Sequence, residues 1–316
     1  MKKSAQHPKG HPFQLRLKSR KTKALLVVVS ILLLAILFSQ VNLAELAHTL
    51  AGAKIEWLGL AVVATLISCG VRVLRWKILL DEKVKVPFWE LFPIQMAGIA
   101  ISNFTPGKAA EPLKVVFLRR LKVRYSFGLL SVAWERLFDL ILLATLALGV
   151  VLGLGGETTQ LGLGALVALV IAVFVLHYRL EALTAWLSEF RLLAFLREFE
   201  THRFSKDTLW AVAVGTLAVW TLDYVSVWAA FSSVGLSMDY LLVAYAYSAS
   251  VLLGVVSFLP AGLGSTEAGL LFFLAPTGYY PTAQLLAGIV LARATTLGLS
   301  SALGLALMPK AHREEV

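Results

Sequence analysis

Charged residues are scarce in this sequence, and cysteine is almost absent. Only 15% of the 316 residues are charged, whereas a soluble domain has about a quarter. The single cysteine, Cys69, lies in an apolar run, which excludes a disulfide within the chain and a metal site built from several cysteines. The six histidines show no ligand spacing, and no nucleophile–base pair or phosphate-binding loop motif is found. We therefore predict no metal, no cofactor and no enzyme activity.

Long hydrophobic runs dominate the chain instead. Hydrophobic residues make up 58% of it, and several runs exceed the roughly 18 residues expected of a membrane helix. We predict an all-α polytopic membrane protein with about six full transmembrane helices plus two re-entrant helical hairpins. Residues 1–23 carry eight Lys and Arg and no acid, which predicts a basic cytoplasmic tail. The predicted transmembrane domain covers 24–309 and includes an interfacial amphipathic helix over about 181–206; residues 310–316 form a cytoplasmic C-terminus.

Two polar stretches, Asn103–Pro112 and Pro260–Glu267, interrupt the hydrophobic pattern. Each contains or follows a Phe-x-Pro sequence and combines glycine with a glutamate. A continuous helix does not suit this composition, because proline costs about 3 kcal/mol in a helix interior and glycine about 1. The flanking apolar arms are shorter than the roughly 20 residues needed to cross a membrane. We predict one re-entrant hairpin over about 88–121 and a second over about 241–275.

The distribution of basic residues predicts the topology. Most Lys and Arg residues fall in segments that would face the cytoplasm under one assignment of the spans, as the positive-inside rule requires. In this assignment the second span covers about 57–74, Arg72 and Arg75 mark the cytoplasmic loop that follows it, and Lys114 marks another return to the cytoplasm. Both termini are then cytoplasmic.

The two hairpins enter from opposite faces under this topology, and each precedes a long helix that contains an arginine. Glu111 precedes Arg136 by 25 residues, and Glu267 precedes Arg293 by 26. A hairpin and a charged helix that recur in opposite orientation are typical of secondary transporters. We predict an inverted-topology repeat.

The helix after the first hairpin carries three charged residues at membrane depth. Glu135 and Asp139 are four residues apart and share one helix face, and Arg136 lies three before Asp139. Ionisable residues in a membrane are costly and by default indicate function. Two interpretations stay open here: the three residues form a structural ion pair, or Arg136 holds a lipid phosphate, which its planar guanidinium matches.

The second arms of the hairpins would point helix N-termini into the membrane interior, where they attract anions. Glu111 precedes a proline and is predicted to cap one of these helices; Ser265 or Gly264 would cap the other. Glu267 lies in the first turn and is the expected partner of Arg293, which has no acid near it in the sequence. The glutamates either complement the helix dipoles or take part in binding.

A further acid, Asp223, lies midway along a predicted span. It either couples transport to protons, as Glu267 could, or is hydrogen-bonded to a neighbouring helix. The predicted substrate-binding residues are Arg136, Arg293, Glu111, Glu267, Glu135, Asp139, Lys108, Gly107, Gly262, Gly264 and Ser265.

These residues resemble those of the flippase-like membrane domain family, also called the lysylphosphatidylglycerol synthase transmembrane family. Three motifs carry the resemblance: Pro106-Gly107-Lys108-x-x-Glu111, Glu135-Arg136-x-x-Asp139 and Pro260-x-Gly262-Leu263-Gly264-x-x-Glu267. The first departs from the family pattern, with Ala109 and Ala110 where glycine is frequent. The resemblance implies a bacterial inner-membrane protein that handles lipids, related to the flippase half of multiple peptide resistance factor. The sequence shows no counterpart of that protein's aminoacyl-transferring domain, so lipid aminoacylation is not expected.

The leading hypothesis is a lipid transporter that translocates an anionic phospholipid or a polyprenyl-phosphate-type lipid. The expected partner is thus a lipid with an anionic headgroup, and binding of nucleic acid is not expected. The alternatives are an intramembrane lipid-modifying enzyme, for which Ser265 and Thr266 are the only hydroxyls adjacent to Glu267, and an accessory subunit of an envelope-lipid synthesis complex. A homo-oligomer is compatible with each of them.

Overall fold

The computed structural model describes residues 20–39, 41–105, 110–151, 203–275 and 281–311. Most of the basic tail and nearly all of the predicted amphipathic helix over 181–206 lie outside these residues, as do Gly107 and Lys108. The described residues are helical and contain no strand. The all-α prediction is confirmed for this part of the chain.

Within each described stretch the helices follow one another with short connections. In chain order they are α1 (Arg20–Ser39), α2 (Leu43–Ala51), α3 (Ile55–Asp81), α4 (Phe88–Asn103), a 3₁₀ helix (Glu111–Leu121), α5 (Tyr125–Val151), α6 (Lys206–Ser233), α7 (Tyr240–Val256), α8 (Ser265–Leu274), α9 (Thr282–Arg293), a π-helical segment (Ala294–Gly298) and α10 (Leu299–Ala311).

Three of the described helical runs are long and apolar enough to cross a membrane: α3, α6 and the continuous run Thr282–Ala311. A fourth candidate combines α1 with α2, which meet at a bend of 87°. Helix α5 has 27 residues, but its three charged residues lower its apolar character. The described residues thus support three or four spans, and the count of six stays a prediction.

The predicted end of the second span is wrong. Helix α3 continues to Asp81, so Arg72 and Arg75 lie within the helix rather than in a cytoplasmic loop. Lys114, also assigned to the cytoplasmic side, is completely buried. All three residues lie inside the fold for the same physical reason: each forms an ion pair with a carboxylate on another helix.

The second arm of the first hairpin also differs from its prediction. It is a 3₁₀ helix that begins at Glu111 with Pro112 in its first turn, and the residue that precedes it is Ala110. Glu111 is therefore the first helical residue and not the cap. The fixed backbone angle of proline suits this position.

Helix packing relates the two halves of the described chain. Helix α3 packs against α6, α4 packs against α10, and α5 packs against α7. Each hairpin's arms also pack together, α4 with the 3₁₀ helix and α7 with α8. We match α3 with α6, α4 with α7, the 3₁₀ helix with α8, and α5 with α9–α10. The pair α3–α6 then maps onto itself, the pair α4–α10 maps onto α5–α7, and the arms of the first hairpin map onto those of the second.

The contact between α4 and α10 depends on Gly304. A Cβ atom at this position would overlap the carbonyl oxygen of Met96 and lie 2.7 Å from the Cβ of Ala100. The absence of a side chain therefore allows the two helix backbones to touch, as small residues do in membrane helix pairs.

We expect Gly304→Ala to destabilise the protein by about 1–3 kcal/mol, because overpacking would separate α4 from α10. The matched control is Gly59→Ala, since nothing lies within 4 Å of a Cβ at Gly59. That change should be neutral or stabilising by up to about 1 kcal/mol, because alanine is the better helix former. Thermal unfolding in detergent measures both. Equal unfolding temperatures for the two variants would contradict the close packing.

Candidate functional site

Arg75 is the centre of a buried ionic network between α3, α5 and α6. Its guanidinium donates to Asp139 Oδ1 at 2.6 Å and Oδ2 at 3.2 Å, to Glu135 Oε1 at 3.3 Å and to the Thr216 hydroxyl at 3.0 Å. The side chain has no solvent exposure. A buried charge is tolerated only when it is paired and its donors are satisfied, and Arg75 meets both conditions.

Lys114 extends this network to the first hairpin. Its ammonium donates to Glu135 Oε2 at 2.9 Å, to Glu111 Oε1 at 3.3 Å and to the side-chain oxygen of Gln95 at 2.8 Å. The ammonium also lies 4.2 Å from the ring centroid of Trp76, a cation–π arrangement. Lys114 therefore joins the 3₁₀ helix to α4 and α5.

Arg136 is the exposed member of the network. It pairs with Glu111 Oε2 at 3.2 Å and with Asp139 Oδ2 at 2.8 Å, yet 37% of its side chain is exposed. Its Nε is buried without a hydrogen-bond partner among the described residues. The ion pairing expected of Arg136 is thus present, and its binding of a lipid phosphate stays a prediction.

The network is balanced in charge. Three cations (Arg75, Lys114 and Arg136) meet three carboxylates (Glu111, Glu135 and Asp139). The Trp220 indole N–H also donates to Asp139 at 2.9 Å. Charge balance and these hydrogen bonds keep the group stable at membrane depth.

The second hairpin turns through backbone conformations that suit glycine. Gly262 and Gly264 have φ of +64° and +87°, and Ala261 has φ of +55°. The N–H of Gly264 donates to Glu267 Oε2 at 2.7 Å, so Gly264 is the residue that precedes and caps α8. The other predicted cap, Ser265, instead shares a hydrogen bond with Ser257 at 2.9 Å.

Arg293 holds this turn in place. Its Nε donates to Glu267 Oε1 at 2.6 Å, and its Nη2 donates to the carbonyl oxygen of Ala261 at 2.7 Å. The structure therefore pairs Arg293 with the glutamate expected from the sequence. The two hairpins share this arrangement, because Glu111 and Glu267 each accept from the arginine of the following helix.

Asp223 lies on α6 and faces α3. It pairs with Arg72 and accepts from the hydroxyl of Ser68 at 2.6 Å. The hydrogen-bonded interpretation of Asp223 is thus present in the structure, with an ion pair that the sequence did not indicate. A proton-coupling role stays a prediction.

One open cavity of about 100 Å³ adjoins these ion pairs, and some of their residues line it. Residues of both hairpins and of α3, α5, α6 and α9–α10 line it. Its charged lining residues are Arg72, Arg136, Arg293, Glu111 and Asp223. Each of the three arginines pairs with a carboxylate, and two of these carboxylates, Glu111 and Asp223, also line the cavity.

The sequence did not indicate Arg72, Arg75, Lys114 or Gln95 as site residues. Arg72 and Arg75 are three apart and share a helix face, which was an available signal, but their position at the end of an apolar run favoured a loop. Gln95 was detectable as a lone amide inside an apolar helix. Lys114 lies three residues after Glu111, its partner in the structure, and this spacing was also an available signal.

The long apolar helices and the charge-paired interior define an integral, multi-pass membrane protein. The chain belongs to the family described as the lysylphosphatidylglycerol synthase transmembrane region, whose model matches residues 24–304. Two similar proteins of Methanothermobacter thermautotrophicus are each named a UPF0104 membrane protein and are 26% identical to this chain. One match covers 90% of this chain and 94% of the relative, and the other covers 74% and 78%. The family resemblance stated from sequence is confirmed.

Proposed function

We propose that this protein translocates a lipid with an anionic headgroup, an anionic phospholipid or a polyprenyl-phosphate-type lipid, between the leaflets of a bacterial cytoplasmic membrane. The observation that carries the proposal is the shared cavity, which both hairpins line and to which Arg72, Arg136 and Arg293 contribute. Guanidinium groups match phosphate oxygens in geometry and charge. The headgroup would occupy this cavity while the acyl or prenyl chains stay in the bilayer.

The packing supports an alternating-access mechanism. When the two halves are matched, each packed helix pair of one half corresponds to a packed pair of the other or to itself. Each half also contributes one glutamate–arginine ion pair: Glu111 and Arg136 are 3.2 Å apart, and Glu267 and Arg293 are 2.6 Å apart. Transporters built from inverted repeats place their substrate between the repeats and move one repeat against the other. We infer that the hairpins are re-entrant, enter from opposite faces and gate the cavity in turn, with both termini cytoplasmic.

The ends of the hairpin arms provide apolar surface beside the cavity. Phe104 follows α4 and is 64% exposed, and Phe258 follows α7 and is 63% exposed. Both belong to the Phe-x-Pro sequences that introduce the breaks. In a membrane these rings would meet lipid chains, which suits a substrate whose headgroup enters a polar cavity and whose tails do not.

A translocation assay in proteoliposomes tests the proposal. A labelled anionic phospholipid in the inner leaflet becomes accessible to an impermeant quencher when it is moved outward. We expect Arg136→Gln to lower the rate at least about tenfold, because hydrogen bonds to charged groups contribute about 1.5–3 kcal/mol. Arg119→Gln is the matched control, since Arg119 is exposed on the same hairpin, and it should keep the wild-type rate.

Size-exclusion profiles and unfolding temperatures of the variants separate a loss of function from a loss of fold. The proposal is overturned if wild-type protein moves lipid no faster than protein-free liposomes, or if a folded Arg136→Gln variant keeps the wild-type rate. Mass spectrometry of the lipids after the assay covers the enzyme alternative, because a modified lipid would appear if the protein were a lipid-modifying enzyme.

A further inference from the structure

Gln95 is a buried amide in the middle of α4, and it lines the cavity. Its side chain has no solvent exposure. The amide oxygen accepts from Lys114 at 2.8 Å, whereas the amide nitrogen has no hydrogen-bond partner among the described residues. Buried polar atoms without partners are few in native proteins, and each one requires a reason.

The orientation of this amide follows from chemistry. Lysine is a donor only and has no acceptor, so the Gln95 oxygen must face Lys114 and the NH₂ group must face away from it. Lys114 is itself held by Glu111 and Glu135. Gly98, one turn along α4 from Gln95, provides room for the lysine stem, because a Cβ there would lie 2.7 Å from Lys114 Cβ.

The second unpaired donor of the described cavity belongs to the same network. Arg136 also lines the cavity, and its Nε has no partner among the residues that the structure describes. The two side chains are connected through Lys114 and Glu111. Both offer N–H groups and neither of these nitrogens can accept, so the complementary ligand group is rich in acceptors and carries negative charge.

We infer that Gln95 binds ligand and determines specificity, donating its amide hydrogens to a phosphate oxygen beside Arg136, with Lys114 as the positioning residue. The inference rests on the proposed function and deepens it by naming the ligand chemistry as a phosphate oxyanion. An ammonium group has no acceptor, and a neutral hydroxyl or carbonyl oxygen accepts without the negative charge that complements Arg136. A lipid phosphate and free inorganic phosphate share this chemistry, and the experiment below distinguishes them.

The test measures binding to the purified full-length chain in detergent by native mass spectrometry, with three probes. These are phosphatidylglycerol, diacylglycerol with the same acyl chains, and inorganic phosphate. Wild-type protein should prefer phosphatidylglycerol to diacylglycerol by at least about tenfold. Preference for diacylglycerol overturns the inference, as does the absence of a preference when inorganic phosphate does not bind either.

Two substitutions of Gln95 remove its donors in different ways. Gln95→Glu keeps an oxygen for Lys114 and replaces the donor by an acceptor, whereas Gln95→Met removes the donor without adding charge. Each should weaken phosphatidylglycerol binding about tenfold or more and leave diacylglycerol binding unchanged. The control is Asn103→Asp, which adds a carboxylate to the same lining. Asn103 donates to the Ser301 hydroxyl at 2.9 Å, and in the variant this hydroxyl can donate to the carboxylate instead.

Asn103→Asp should weaken binding several-fold less than Gln95→Glu does, because it adds the same charge to the lining but removes no donor from the group of Gln95, Lys114 and Arg136. The inference is overturned if Gln95→Met binds phosphatidylglycerol as tightly as wild-type protein does. It is also overturned if Gln95→Glu and Asn103→Asp lose the same affinity, because charge repulsion alone would then explain the loss. If wild-type protein translocates lipid but Gln95→Met binds phosphatidylglycerol as wild type does, the role of Gln95 is wrong and the transporter proposal stands. Gln95-dependent binding of inorganic phosphate without binding of phosphatidylglycerol supports the oxyanion site and overturns phosphatidylglycerol as its ligand.

Discussion

Replacement of Arg75 by methionine is expected to prevent stable folding. The substitution leaves Glu135 and Asp139 buried with one cation fewer, and it removes a donor to Thr216. Loss of one partner of a buried ion pair costs about 3–5 kcal/mol, which is a large part of the stability of a typical protein. Yield of monodisperse protein and its unfolding temperature in detergent measure the effect.

A control and a rescue variant separate this effect from a general loss of charge. Lys77→Met removes a pair with Asp81 in which the lysine is 26% exposed, and it should cost no more than about 1 kcal/mol. Arg75→Met combined with Asp139→Asn removes one of the unmatched carboxylates and should recover part of the lost stability. A wild-type unfolding temperature for Arg75→Met alone would show that the network does not stabilise the fold.

Neutralising the second hairpin's ion pair should separate its structural role from its role in transport. Arg293→Gln alone leaves the buried Glu267 carboxylate without its cation and releases the carbonyl of Ala261, so we expect a loss of about 3–5 kcal/mol. Glu267→Gln combined with Arg293→Gln leaves no unmatched charge and should recover most of that stability. Both variants should translocate anionic lipid at least about tenfold more slowly than wild type.

The double variant decides between the two interpretations of Arg293. If it folds and still translocates at the wild-type rate in proteoliposomes, the pair is structural only and the cavity's ligand does not need this arginine. If it folds and is slow, the pair takes part in transport, because the structural demand has been removed together with the two charges.

The sequence predicted what depends on local pattern. The breaks at Pro106 and Pro260 follow from composition, and the pairing of Glu267 with Arg293 follows from the cost of an unpaired membrane charge and from the repeated spacing. Neither prediction needed knowledge of how the helices pack. The predicted roles of these residues in substrate binding stay proposals.

Tertiary partners explain what the sequence did not predict. Arg72, Arg75 and Lys114 look like loop charges because basic residues usually mark the cytoplasmic ends of spans. Their carboxylate partners lie on helices distant in sequence: Asp223 and Glu135 are 151 and 60 residues away from Arg72 and Arg75. A rule that reads one span at a time cannot detect such pairs.

The charge balance of the interior has an electrical consequence. In the described helices Arg72 matches Asp223, Arg293 matches Glu267, and the network around Arg75 contains equal numbers of cations and carboxylates. Helices that move with their partners therefore carry no net charge through the transmembrane field, where one elementary charge is worth about 2.3 kcal/mol per 100 mV. The voltage dependence of translocation would then report the charge of the lipid, together with any proton that accompanies it.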